Sequence, residues 1–71
     1  MSIGVLLVDD EALIRSGLRA IIDAEPDLTV LGEAEDGAAV TPLVRRLRPD
    51  VVLMDVRMPV VGFPEHGEVV F

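Results

Sequence analysis

The chain has no cysteine, no tryptophan, no tyrosine and no lysine. Without cysteine there is no disulfide framework and no thiolate metal site. Its only aromatic residues are Phe63 and Phe71, so a core has to be assembled from Val, Leu, Ile and Ala. No apolar run is long enough to span a bilayer, and no basic stretch precedes one. A cytoplasmic protein is therefore the simplest expectation. Positive charge is scarce: six arginines face 13 acidic residues, for a formal charge of −7. A segment so acidic repels a phosphate backbone, which argues against direct nucleic-acid binding and favours a cation or a basic protein surface as partner. What is plentiful is aliphatic. Hydrophobic residues make up 51% of the 71 positions, which speaks against disorder and allows one small domain. A domain this short buries only about 60% of the surface its unfolded chain exposes, so its stability is narrow.

"IGVLLV", Ile3 to Val8, is a continuous apolar run of the kind that suits a strand buried on both faces. After "DDE", apolar residues recur at Leu13, Ile14, Leu18, Ile21 and Ile22, the spacing of one helical stripe, with Asp10 as a candidate N-cap. Pro26-Asp27 closes that helix. Leu28 to Glu35 begins as an apolar strand and turns polar, and Asp36-Gly37 reads as a turn, with Asp36 a turn or cap residue. A second helix is expected within Ala38 to Leu47, weak or kinked before Pro42 and firm after it, since a proline is tolerated only in a helix's first turn. "RPD", in which Asp50 reads as a turn residue, leads into a third apolar strand, Val51 to Asp55. Beyond Asp55 the pattern stops: "VRMPVVGFPEHGEVVF" offers one short strand in Glu68 to Phe71 and no third helix.

Strand, helix, strand, helix, strand with short connections implies right-handed crossovers and a parallel sheet. A flavodoxin-like order of 2-1-3 sets strands one and three side by side. Their C-terminal tips would then bring Asp9, Asp10 and Asp55 together at the place where open α/β sheets bind ligands. Three carboxylates in one corner repel unless a cation joins them. Mg²⁺ suits such a site, because it takes oxygen ligands and keeps waters that a phosphate can displace. With the metal in place, one aspartate could act as a nucleophile toward phosphorus. The plainer account, taken one residue at a time, is capping and solvated surface; the joint placement favours a site.

"VLLVDDEALIRSGLRAII", "VLGEAEDG" and "LRPDVVLMDVRMP" closely resemble the receiver domain of bacterial two-component response regulators, and among these the regulators of LuxR/NarL type with a helix-turn-helix output domain. The resemblance covers residues 3–59. It implies a CheY-like fold, here an incomplete β-α-β-α-β unit, with residues 1–59 as a partial receiver and 60–71 as an atypical tail. It further implies that Asp55 is the phosphoacceptor, that Asp9 and Asp10 help to hold Mg²⁺, and that Arg57 offers its backbone carbonyl to the metal. Phosphate would come from a sensor histidine kinase. The domain would not be an enzyme beyond metal-assisted transfer to itself.

The resemblance breaks after Met58-Pro59. The family follows this pair with two variable residues and Asp-Gly; here Val60, Val61, Gly62 and Phe63 follow. The family also uses a Ser or Thr after strand four and a Lys after strand five to contact the phosphoryl group. Thr29 and Thr41 fall elsewhere and no lysine exists, so phosphotransfer is expected to be impaired; such groups are often worth about 3 kcal/mol each in enzymes. The abrupt change suggests a truncated or frame-shifted gene. A bare third strand would be a template for association, so "EVVF" pairs with it, or the chain self-associates through that edge or is unstable alone. The remaining residues have plain readings: His66 as a solvated loop histidine, Met54 and Met58 as packing, and Arg45, Arg46 and Arg48 as the solvated face of helix two. Arg57's side chain is a lesser candidate for touching phosphate. The competing function is a non-phosphorylated interaction fragment or a non-functional remnant. A dehalogenase-type phosphohydrolase needs Asp-x-Asp where the acids here are adjacent, and a nucleotide-binding half-domain needs a glycine-rich first turn that is missing.

Overall fold

In a computed structural model of the chain, residues 2–54 and 68–70 are described. Strand β1 (Ile3–Val8) runs into helix α1 (Ala12–Asp23). Strand β2 (Leu28–Ala34) follows, then a 3-10 turn (Gly37–Ala39) that leads directly into helix α2 (Val40–Leu47). Strand β3 (Val51–Met54) and a short strand β4 (Glu68–Val70) complete the described elements. The sheet has the order β2-β1-β3-β4 and every pairing in it is parallel. The expected 2-1-3 core is thus present.

β1 is central because it is apolar on both faces. Leu6 and Val8 point into one core with Ala34, Val40, Val44, Val52 and Met54, packed under α2. Val5 and Leu7 point the other way and meet Ile22, with Leu18, Leu28, Val30 and Leu53 around them, under α1. Alternation along a strand divides its side chains between the two layers in this way. Met54 is buried as packing, in line with its sequence reading.

Two local expectations need correction. Helix α1 starts at Ala12 with Glu11 in the cap position, not with Asp10. The reason lies one residue earlier: the Asp9 carboxylate folds back and accepts the Glu11 N–H through Oδ1 at 2.8 Å. Of the five residues expected to form one core-facing stripe, only Leu18 and Ile22 meet the sheet, whereas Leu13 (85% exposed), Ile14 and Ile21 face outward. The stripe that touches the sheet is Arg15, Leu18 and Ile22, spaced i, i+3, i+7.

The weak stretch expected before Pro42 is the 3-10 turn, but regular helix already begins at Val40, two residues before the proline. Pro42 is the third helical residue, where its missing N–H has no intrahelical partner to lose. Asp36 caps the preceding turn by accepting the Ala39 N–H at 2.9 Å. Arg48 ends the helix in the left-handed region at φ 50°, donating its N–H to the Val44 carbonyl at 2.9 Å. Arg45, Arg46 and Arg48 are exposed, as a solvated face should be.

The β1–β2 register slips between Val5 and Leu6, so that Leu31 bulges out without a ladder partner and lies exposed. Gly32, the next residue, leaves room for the Leu47 side chain of α2: a Cβ there would stand 2.7 Å from Leu47 Cδ1. Asp50 does more than turn the chain. Its Oδ2 accepts the Gly4 N–H at 2.7 Å and its own N–H donates to the Gly4 carbonyl at 2.8 Å, extending the β1–β3 ladder by one step. The edge of β3 that was expected to be bare pairs with β4, Val51 opposite Glu68 and Leu53 opposite Val70. Of the outcomes foreseen for that edge, namely pairing with "EVVF", self-association or instability of the lone chain, pairing is the one observed within the chain.

Candidate functional site

Val8, the last residue of β1, pairs with Met54, the last described residue of β3. Asp9 is the next residue on one side and Asp55 the next in sequence on the other. Asp55 and Arg57, both named as site residues from the sequence, lie outside the described residues, as do Met58 and His66. The geometry that can be described is therefore that of the Asp9-Asp10 corner.

Asp9 is 7% exposed, the one buried acidic residue among those described. Three elements hold it. Its N–H donates to the Ala34 carbonyl at 3.1 Å, which carries the β1–β2 ladder one residue beyond Val8. Its carbonyl oxygen accepts Arg15 Nη1 at 2.6 Å. Its Oδ1 accepts the Glu11 N–H, which bends the chain toward α1. Asp10, by contrast, is exposed at the sheet's rim. The corner thus consists of one fixed carboxylate and one facing solvent.

Arg15 belongs to a network that joins α1 to the end of β2. Its Nε donates to Glu33 Oε1 at 2.8 Å, and its Nη2 lies 3.8 Å from Glu35 Oε1. Arg19 binds the other oxygen of Glu33 and sits 3.6 Å from Asp23 along the helix. The Arg19 hydrogen bond holds the Glu33 carboxyl below its ordinary range; burial pushes it up, and the Arg15 hydrogen bond, with the charges of both arginines, pulls it down further. Sequence reading missed Arg15 and Glu33. The signal was there in outline, since Arg15 shares the i, i+3, i+7 row with two core residues.

Among the described residues no group of three or more His, Cys, Asp or Glu side chains is placed to hold a metal ion. No helix among them is long and apolar enough to cross a membrane.

Comparison with known proteins agrees with the topology. The family model described as the response regulator receiver domain matches residues 5–63. A transcriptional regulatory protein of Bacillus subtilis strain 168, YxjL, is 51% identical over 57 residues, covering 80% of this chain and 26% of its own length. The response regulator domain of Thermotoga maritima CheB superposes with a TM-score of 0.78 at 46% identity, over 83% of this chain and 44% of that one. The receiver domain of the response regulator NarL from Mycobacterium tuberculosis gives 0.77 at 40% identity, over 82% and 47%. The chain therefore belongs to the response regulator receiver family, with the CheY-like parallel sheet and relatives among two-component transcriptional regulators. It spans about a quarter of the curated relative's length and under half of the two solved chains.

Proposed function

We propose that this chain is a phosphoacceptor receiver of a two-component system, with Asp55 as the group that takes phosphate from a sensor histidine kinase in the cytoplasm. The carboxylate of Asp55 attacks phosphorus, a P–O bond forms, the P–N bond to the phosphohistidine breaks, and the imidazole nitrogen leaves. The observation that carries this reading is the pairing of Val8 with Met54, with Asp9 held just beyond the first and Asp55 next in sequence to the second.

The described donors fit magnesium: Asp9 and Asp10 offer hard carboxylate oxygens from one loop, and the Asp9 main chain is already fixed before any ion arrives. Asp9, Asp10, Asp55 and the Arg57 carbonyl are the residues that would hold it. When bound, it would offset negative charge on the phosphoryl group. The chain's own part is to present the acceptor carboxylate and to keep the acidic loop from rearranging. These 71 residues supply no lysine, so transfer is expected to be slow.

Incubation with a small acyl-phosphate donor and Mg²⁺, read by intact-mass spectrometry, tests the reading. One added phosphate, lost in Asp55→Asn, is expected; no uptake, or uptake that survives Asp55→Asn, rejects it and leaves an interaction fragment as the function.

A further inference from the structure

We infer that Arg15 is a positioning residue for the acidic corner: its guanidinium clamps the Asp9 carbonyl and so presets the Asp9-Asp10 loop for a divalent cation. The inference rests on the receiver reading for the identity of that cation.

The position itself calls for explanation. Arg15 occupies the sheet-facing row of α1 with Leu18 and Ile22, where an aliphatic residue would pack without cost. Its side chain is only 13% exposed, and a charge withdrawn from water must be compensated. Compensation is ample. One nitrogen binds Glu33, a second binds the Asp9 carbonyl, and the third lies near Glu35. The planar guanidinium can serve these directions at once, which an ammonium cannot. Glu33 is in turn gripped on its other oxygen by Arg19, so the arginine is itself oriented.

The result is a corner fixed from both sides. The end of β2 takes the Asp9 N–H and α1 takes the Asp9 carbonyl, so the peptide planes on either side of its Cα are held. Asp10 hangs from the second of those planes. Loss of the clamp would let that plane rotate and carry the Asp10 carboxylate with it.

Positioning and plain electrostatics predict opposite signs. Arg15 is a cation beside a cation site, so Coulomb repulsion alone predicts tighter Mg²⁺ binding when it is neutralised and no change when it becomes lysine. Positioning predicts weaker binding in both, by about 10-fold, the lower end for outer-shell partners of metal ligands.

The experiment titrates Mg²⁺ calorimetrically into the 71-residue chain and into Arg15→Lys and Arg15→Met. In parallel, amide hydrogen exchange is measured without metal. About 10-fold weaker affinity in both variants, with faster exchange at Asp9 and Glu11 and unchanged exchange at Val5 to Val8 in Arg15→Lys, supports the clamp. Unchanged affinity in Arg15→Lys, or tighter binding in Arg15→Met, overturns it. Exchange that rises evenly across the sheet also overturns it, because it marks Arg15 as a general stability residue. If the unaltered chain takes up no Mg²⁺, the receiver reading fails, while exchange at Asp9 and Glu11 still decides whether the clamp exists.

Discussion

The two faces of the sheet are built differently. Among the described residues, seven buried side chains from β1, β2, β3 and α2 close into one cluster beneath α2. Beneath α1, three of the described residues are buried, and three of the helix's five large apolar residues, Leu13, Ile14 and Ile21, are turned to solvent. What α1 lacks in burial it gains in charge contacts: Arg15 and Arg19 join it to Glu33 on β2 and to the Asp9 carbonyl. One face is held by packing, and the other by packing together with a polar clamp that ends at the acidic corner. Among the described residues, the face that touches the acidic corner is thus the one with less apolar burial, where a polar contact can both hold the helix and orient a loop.

Substitutions can break this contrast. The largest effect is expected at Leu6, fully buried on the α2 side: Leu6→Ala should cost about 3 kcal/mol, enough to unfold much of a domain with so small a core. Urea denaturation followed by circular dichroism measures it, and a loss under 1 kcal/mol would mean that the α2 face is loosely packed. Gly32→Ala should cost no more than about 1 kcal/mol, since the new methyl meets only the tip of the Leu47 side chain, which can turn aside. Acid probes the other face. Because Glu33 is held below its ordinary range when folded, its contribution is present above the unfolded carboxylate value, about 4.3. It is lost as pH falls further, through the folded value. Stability of Glu33→Gln should therefore depend less on pH below about 4 than that of the unaltered chain. The smallest effect belongs to Leu13, where Leu13→Ser should change stability by no more than about 0.5 kcal/mol. A large loss there would show that the outward flank of α1 is covered in solution.

Much of this was legible in the chain. The double-faced apolar run of β1 announced a central strand, and the alternation of strand and helix announced parallel pairing in the order 2-1-3. Pro42 could be placed in a first turn because only there does its missing N–H cost nothing. Less legible was anything that depends on which part of a helix face meets the sheet. Periodicity groups Leu13, Ile14, Leu18, Ile21 and Ile22 on one side, but it does not say how wide a strip the sheet covers, and the answer excluded three of them. Arg15 was passed over because its partners lie at the ends of two strands rather than on its own helix. Asp50 looked like a turn residue for the same reason: the Gly4 backbone it binds is 46 positions away. At the site, Asp9 and Asp10 were named as functional candidates, but the cap position expected for Asp10 falls on Glu11, whose N–H the Asp9 carboxylate accepts.

In the proposed site two strand tips serve one ion. Replacing Mg²⁺ with paramagnetic Mn²⁺ and recording amide resonances tests this directly, since only nuclei near the metal broaden. Signals of Asp9, Asp10, Asp55 and Arg57 should broaden together at the lowest Mn²⁺ additions, with those of Thr29 and Arg45 unaffected. Broadening at Asp9 and Asp10 that leaves Asp55 sharp would contradict a shared pocket.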